Sequence, residues 1–298
     1  MNKEIIKKIK NYLNLIRIKH WLKNGLVFLP LFFSANLFDK KLLVNTIYAF
    51  VIFSLISSIV YIINDLNDIE KDKEHPIKCK RPIASGNVSK KGATTTILLF
   101  AFISFIFMYI LHNSINNVFI YTLPIIYLLL NILYSVDLKN IPIIDVAILV
   151  SGFVFRVMYG GIATNIEVSR YLYLMIIFGA FFMGFGKRRN EIIKNGDKSR
   201  KVLSHYNKDF LDKNMYVALA LAVVSYTLWC VDPTTIERIG NNYVFWTIPL
   251  LMIILQLYSL NIEGNSYGDP IEVILNDKKL LVAIFIYVIV MGGLLYFV

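Results

Sequence analysis

Charge is scarce in these 298 residues: 17% are Asp, Glu, Lys or Arg, against about 25% in an average soluble domain. Cysteine is scarcer still, with Cys79 in a basic loop and Cys230 at the end of an apolar run; two thiols in such different settings imply neither a disulfide framework nor a metal site. No sustained alternation of apolar and polar residues or hairpin punctuation occurs, which argues against a β-barrel and favours helices as the way to satisfy backbone groups in lipid. The basic, amphipathic stretch 1–23 lacks a short apolar core followed by a small-residue cleavage site, so no removable signal peptide is expected. Low-complexity linkers are missing too, and 1–298 is read as a single transmembrane domain. Acidic residues are outnumbered, 20 against 31 basic, for a formal charge of +11.

What the chain has is apolar surface. Fifty-seven per cent of the residues are apolar and the mean hydropathy is +0.60. A hydrocarbon core of roughly 30 Å takes about 20 residues of helix. About nine runs approach that length, near 25–40, 42–63, 93–112, 117–135, 143–164, 169–186, 214–231, 244–260 and 279–298. The first is the weakest, because Pro30 interrupts it and Lys40 and Lys41 follow. The expected fold class is therefore an all-α polytopic membrane protein. Its positive charge is lopsided: with the N-terminus inside, about 26 of the 31 Lys and Arg fall in 1–24, 65–92, 136–142, 187–213 and 261–278 or their borders. The positive-inside rule then places the N-terminus and the long basic loops in the cytoplasm of a multi-pass protein of the cell (inner) membrane. This distribution suits a bilayer and anionic substrates, and no nucleic-acid partner is expected. Long loops follow the second and sixth runs, and function is sought there. Arg156, deep in the fifth run, is a functional candidate by default, with Asp145 as a possible partner.

Chemistry is concentrated where the second run ends. Asn64, Asp68 and Asp72 recur every four residues and so share one face of a continuing helix, with Asp65 beside them. Hard oxygen ligands in a row suit Mg2+, which takes one or two carboxylates and completes its octahedron with water and substrate phosphates. Lys78, Lys80 and Arg81 follow; cations beside a metal are what a diphosphate needs for its remaining oxygens. The bland reading, an acidic helix end facing solvent, fits poorly because the acids begin inside the membrane boundary and run straight into bases. His75, before Pro76, reads as structural.

Asn64-Asp65-x-x-Asp68-x-x-x-Asp72 followed by Arg81-Pro82-Ile-Ala-Ser-Gly86 resembles the signature of the UbiA prenyltransferase superfamily of nine-helix intramembrane enzymes. Tyr134, Lys139 and Asp145 resemble that superfamily's tyrosine, lysine and aspartate around its fourth and fifth helices. The second half departs from the quinone-making members, whose further Asp-rich motif is replaced here by Gly186-Lys187-Arg188-Arg189-Asn190-Glu191, with Leu203 to Leu211 beyond it. That block, the opening Arg17-Ile-Lys19-His-Trp21-Leu-Lys23-Asn24, Arg156-x-x-x-Gly160-Gly-x-Ala163 and Tyr267-Gly-Asp269-Pro270 are similar to the decaprenyl-phosphate phosphoribosyltransferases.

The resemblance implies Mg2+-dependent transfer of 5-phosphoribose from phosphoribosyl diphosphate to a polyprenyl phosphate. Asn64, Asp68 and Asp72 would hold the metal, and Asp65, Asp68 and Asp72 would be catalytic. Lys23, Lys80, Arg81, Tyr134, Lys139, Arg156, Lys187, Arg188, Glu191 and Tyr206 would bind substrates. Three phosphate-bearing groups need more fixed cation than one diphosphate and an aromatic ring. The alternatives are that Lys187, Arg188 and Arg189 only anchor topology, or that the chain prenylates an aromatic acid or quinone precursor. A transporter would explain the spans but not the acid row beside Lys78 to Arg81.

Overall fold

The computed structural model describes residues 2–76, 78–195, 200–264 and 268–297; Tyr267, part of the late motif above, lies outside the described residues. Among those described the fold is helical, with no strand. It begins with α1 (Asn2–Leu15), a 3-10 segment (Ile18–Phe28) and the five-residue α2 (Leu29–Phe33). The first half continues with α3 (Lys40–Asn67), α4 (Ile69–Glu74), α5 (Lys90–Ile115), α6 (Phe119–Val136) and α7 (Ile144–Thr164). The second half comprises α8 (Arg170–Asn195), α9 (Lys208–Val231), α10 (Pro233–Ile239), α11 (Ile248–Glu263), α12 (Pro270–Asn276) and α13 (Lys278–Tyr296).

Seven helical stretches among the described residues are long and apolar enough to cross a membrane, those of α3, α5, α6, α7, α9, α13 and α11 with its preceding turn. The expected count of nine is not reached. Residues 25–40 form the 3-10 segment and short α2 because Pro30 opens α2, where its missing N–H does no harm. α8 is 26 residues long, but Arg170 and Lys187 bound its apolar stretch.

The spanning helices sort by what they touch. α3 is the hub, two-thirds (67%) of its apolar window being buried in protein, whereas α5 and α6 bury 17% and 22% and turn most of their surface outward, as lipid-facing helices do. One core gathers Ile52 and Phe53 of α3, Leu111 of α5, Ile120 of α6 and Tyr159 of α7. A second gathers Val146 of α7, Phe182 of α8, Leu211 and Met215 of α9 and Ile262 of α11. α7 belongs to both and joins the halves.

The 3-10 segment is eleven residues long, where such runs rarely exceed four. It is held by polar contacts that count in an apolar medium: Asn24 donates to Ser54 (3.0 Å) and Ser57 (3.3 Å), and Trp21 Nε1 donates to Ser58 (3.0 Å), all on α3. On its other side the backbone presses on α7, where a Cβ built on Gly160 would lie 2.1 Å from the Val27 carbonyl oxygen. No side chain fits there. Gly160→Ala must therefore separate α7 from the segment; backbone displacement of this kind costs about 1–3 kcal/mol or more. The purified protein is expected to unfold several degrees lower, with weakened substrate binding. An unchanged melting curve would show that this contact is not a tight one.

Candidate active site

The acid row survives a break in its helix. α3 ends at Asn67 and Asp68 leaves helical geometry (φ −102°, ψ 16°) before α4 begins. The i to i−4 bonds nevertheless continue, from Asp68 N–H to the Asn64 carbonyl (3.0 Å) and from Asp72 N–H to the Asp68 carbonyl (2.8 Å). Asn64, Asp68 and Asp72 consequently stay on one face, as the spacing predicted. Arginines meet the flanking acids. Arg17 Nη2 is 2.6 Å from Asp65, and Arg81 Nη1 is 2.6 Å from Asp72 and 3.1 Å from Asp65. Arg17 sits in left-handed backbone (φ 51°) with its guanidinium 4.5 Å from the Tyr61 ring centroid. Asp68 is the loosest of the set, 33% exposed, and among the described residues its one ion pair is with an exposed lysine, Lys71, at 3.9 Å. The Asn64 side-chain oxygen accepts from Ser135 of α6.

Among the described residues no three His, Cys, Asp or Glu side chains form a ready metal cage. The donor set is one amide and two carboxylates on a single face, one of them free of arginine. Such a partial set fits an ion that brings water and substrate phosphate as its other ligands.

The base of α8 forms a second cluster. Arg188 is buried, and each of its three guanidinium nitrogens has a partner: Nε with Asp145 (2.6 Å), Nη1 with Glu191 (2.6 Å) and Nη2 with the Tyr134 hydroxyl (3.2 Å). Tyr206 donates to the other Asp145 oxygen (2.7 Å) and accepts from the Ile143 N–H. Ile143 has φ 70°, strained for a β-branched residue, so this hydroxyl pins an unusual turn at the start of α7. Burial, and then the bond to Asp145, push the Tyr206 phenol up, and it remains a donor at physiological pH. Burial would push the Glu191 carboxyl up as well, but Arg188, Arg200 and Lys187 outweigh it and hold it low. Arg189 is drawn to Asp212 of α9 (2.5 Å).

A third cluster is mainly basic. Asp269 Oδ2 lies 3.4 Å from Lys23 and 3.7 Å from Lys187. Burial would raise the Asp269 carboxyl, yet Lys23, Lys187 and His20 together hold it low. His20 is pushed down to about 4 by burial and then by Lys23, against the pull of Asp269, so at neutral pH it carries no charge. Arg156 does not pair with Asp145, as its place in the fifth run had suggested, because Asp145 is taken by Arg188 and Tyr206. It donates to Asn24 (2.7 Å), the Gly152 carbonyl (2.5 Å) and the Tyr127 hydroxyl (3.2 Å), and packs on the rings of Phe53 and Tyr127.

The structure thus brings together Asp65, Asp68, Asp72 and Arg81; Tyr134, Arg188, Glu191 and Tyr206; and Lys23 with Lys187. Lys80 stands exposed on the loop and Lys139 half-buried in the turn Leu138–Asn140. Lys78 is in the field of the acids: burial and Arg81 push its ammonium down, while Asp72 and Asp68 oppose them. His75 Nδ1 accepts from the Lys78 N–H (3.3 Å). Sequence reasoning gave no site role to Arg17, Asn24, Ser135, Arg200 or Asp269. Arg17, Asn24 and Asp269 lie within motifs it quoted, and Ser135 directly follows Tyr134; nothing near Arg200 marks it.

A sequence profile of the UbiA prenyltransferase family matches residues 26–289. The decaprenyl-phosphate phosphoribosyltransferase of Corynebacterium glutamicum is 34% identical over 277 residues, covering 90% of this chain and 81% of that protein. The enzyme of the same name from Mycolicibacterium smegmatis is 30% identical over 303 residues, covering 97% and 93%. The structure of a UbiA homolog from Archaeoglobus fulgidus bound to GPP and Mg2+ superposes with a TM-score of 0.71 at 18% identity, covering 96% of this chain and 99% of that one.

Proposed function

The chain belongs to the UbiA prenyltransferase family, and we propose that it is a membrane-embedded transferase moving 5-phosphoribose from phosphoribosyl diphosphate to a polyprenyl phosphate of the decaprenyl type. One observation carries this reading: the acid row has for a neighbour a mainly cationic cluster, in which Lys23 and Lys187, with Arg156 nearby, share the carboxylate of Asp269. A prenyl diphosphate and an aromatic ring would leave that charge without use, whereas a donor bearing phosphates at both ends, with a lipid phosphate as acceptor, employs it. The identity of 30–34% to decaprenyl-phosphate phosphoribosyltransferases over most of the chain supports the same choice.

Asn64, Asp68 and Asp72 would hold Mg2+, which neutralises charge on the departing diphosphate. Arg81 and Lys78 stand where they can bind the diphosphate oxygens that the metal leaves. As the bond from ribose C1 to the diphosphate oxygen breaks, its electron pair leaves with the diphosphate and C1 becomes oxocarbenium-like. An oxygen of the ionised lipid phosphate forms the new bond to C1. No general base is required, which agrees with a neutral, partly buried His20 outside any triad. Arg188 acts through others: it orients Tyr134 and Glu191 while Asp145, itself fixed by Tyr206, holds it. The apolar outer faces of the helices accommodate the polyprenyl chain. The site lies on the cytoplasmic side in this reading, with the N-terminus, which the concentration of Lys and Arg in the loops around it supports.

Purified protein incubated with Mg2+, phosphoribosyl diphosphate labelled in the ribose and a polyprenyl phosphate is expected to move label into an organic extract. Label remaining in the aqueous phase, with transfer of a prenyl group to an aromatic acid instead, would overturn the assignment.

A further inference from the structure

Two lysines from opposite halves of the chain reach one carboxylate oxygen. Their distances to Asp269 Oδ2, 3.4 and 3.7 Å, are loose beside the 2.6 Å of the pairs Arg17–Asp65, Arg81–Asp72 and Arg188–Asp145. The carboxylate itself is fixed. Its Oδ1 accepts from the Ile271 N–H (3.1 Å) and caps α12. The residue before it, Gly268, has φ +77°, and a Cβ there would meet the Lys187 Cα at 3.0 Å, so glycine lets this loop close on α8. Backbone therefore places Asp269, and the ammonium groups gather round it without being locked.

Among the described residues, the charges acting on the two lysines are mainly positive. Arg156 and Arg17 act on Lys23, Glu191 and Arg188 act on Lys187, and the uncharged His20 stands nearby. Arg17 also ties this cluster to the acid row through Asp65. A single small molecule with an anion at each end matches two adjoining sites of this kind.

Building on the phosphoribosyl-transfer reading, we propose that Lys23 and Lys187 take the 5-phosphate of the donor, and that Asp269 is the positioning residue that converges both ammonium groups on one point. A phosphate oxygen fits where two ammonium groups already share an oxygen, because lysine binds phosphate as a point charge with freely rotating donors. Asp269 has a second effect. Burial pushes both lysines below their ordinary range, and Asp269 opposes that push. Removing its charge lets the lysines lose their protons at lower pH, so the 5-phosphate is held less well as pH rises.

The test uses the full-length protein in lipid nanodiscs with Mg2+, and compares phosphoribosyl diphosphate with ribose 1-diphosphate, which lacks the 5-phosphate. Wild type is expected to prefer the 5-phosphorylated donor. Lys187→Met and Lys23→Met should each raise its KM about ten- to a hundredfold, the size of a lost charge-assisted contact, and erase the preference while leaving the KM for polyprenyl phosphate unchanged. Asp269→Asn keeps an oxygen for the α12 cap, so the fold is retained. Its kcat/KM for the donor should fall with rising pH earlier and more steeply than that of wild type. A rise confined to the lipid phosphate KM in the lysine variants would give the pair to the acceptor and overturn the proposal. So would an unchanged preference for the 5-phosphate, or an Asp269→Asn pH profile parallel to wild type. Wild type that uses neither donor would overturn the functional reading, and this inference with it.

Discussion

Asp68→Asn is expected to reduce phosphoribosyl transfer at least about a thousandfold and to leave the protein folded. A metal that neutralises a leaving diphosphate contributes several kcal/mol to the transition state, and each 1.36 kcal/mol is about tenfold in rate. Asp68 is the cleanest place to remove it. Its carboxylate is partly exposed and, among the described residues, pairs with an exposed lysine at 3.9 Å, a contact worth little to stability. The helical bonds that carry the row through Asp68 are backbone bonds, which asparagine leaves intact. Asp72→Asn should abolish transfer as well, but it also strips Arg81 of its 2.6 Å partner, so some loss of stability is expected alongside. Comparison of kcat and melting temperature in the two variants separates these effects. Normal turnover in both would remove the metal assignment.

Arg188→Met is expected to be the most destabilising single change at the site. The guanidinium lies between Asp145, wholly buried, and Glu191, partly buried. Removing one partner of such a group strands the others, at a cost of about 3–5 kcal/mol. Arg188→Lys should recover part of the loss, since it restores charge but cannot make the forked contact to Asp145, Glu191 and Tyr134. Arg188→Met combined with Asp145→Asn should lose less than the two single changes added together, the mark of direct coupling. A single variant that melts like wild type and only binds donor more weakly would instead make Arg188 a phosphate ligand.

Much of the acidic half of the site was legible because it is local. Asn64, Asp68 and Asp72 are four residues apart, and Arg81 lies on the loop that follows, so helix periodicity and a short turn bring them together. What is built from distant segments was not. Asp269 meets Lys23 across 246 positions, and no spacing rule encodes that. Asp145 and Arg156 share one apolar run and looked like partners. They sit about three turns apart on α7, however, and each is claimed by another element: Asp145 by Arg188 of α8, Arg156 by Asn24 of the 3-10 segment. The apolar stretch 25–40 was counted as a span because hydropathy reports side chains and not backbone. Gly160, Pro30 and the serines of α3 decide that backbone, and their effect appears only in packing.

Binding of Mn2+, followed by its paramagnetic resonance signal in place of Mg2+, is the most direct probe of the diphosphate-linked metal. The ion should bind wild type firmly only when phosphoribosyl diphosphate or free diphosphate is present, be displaced by excess Mg2+, and fail to bind Asp68→Asn under the same conditions. Equal binding by wild type and Asp68→Asn, or binding indifferent to diphosphate, would contradict a metal held jointly by the acid row and the leaving group.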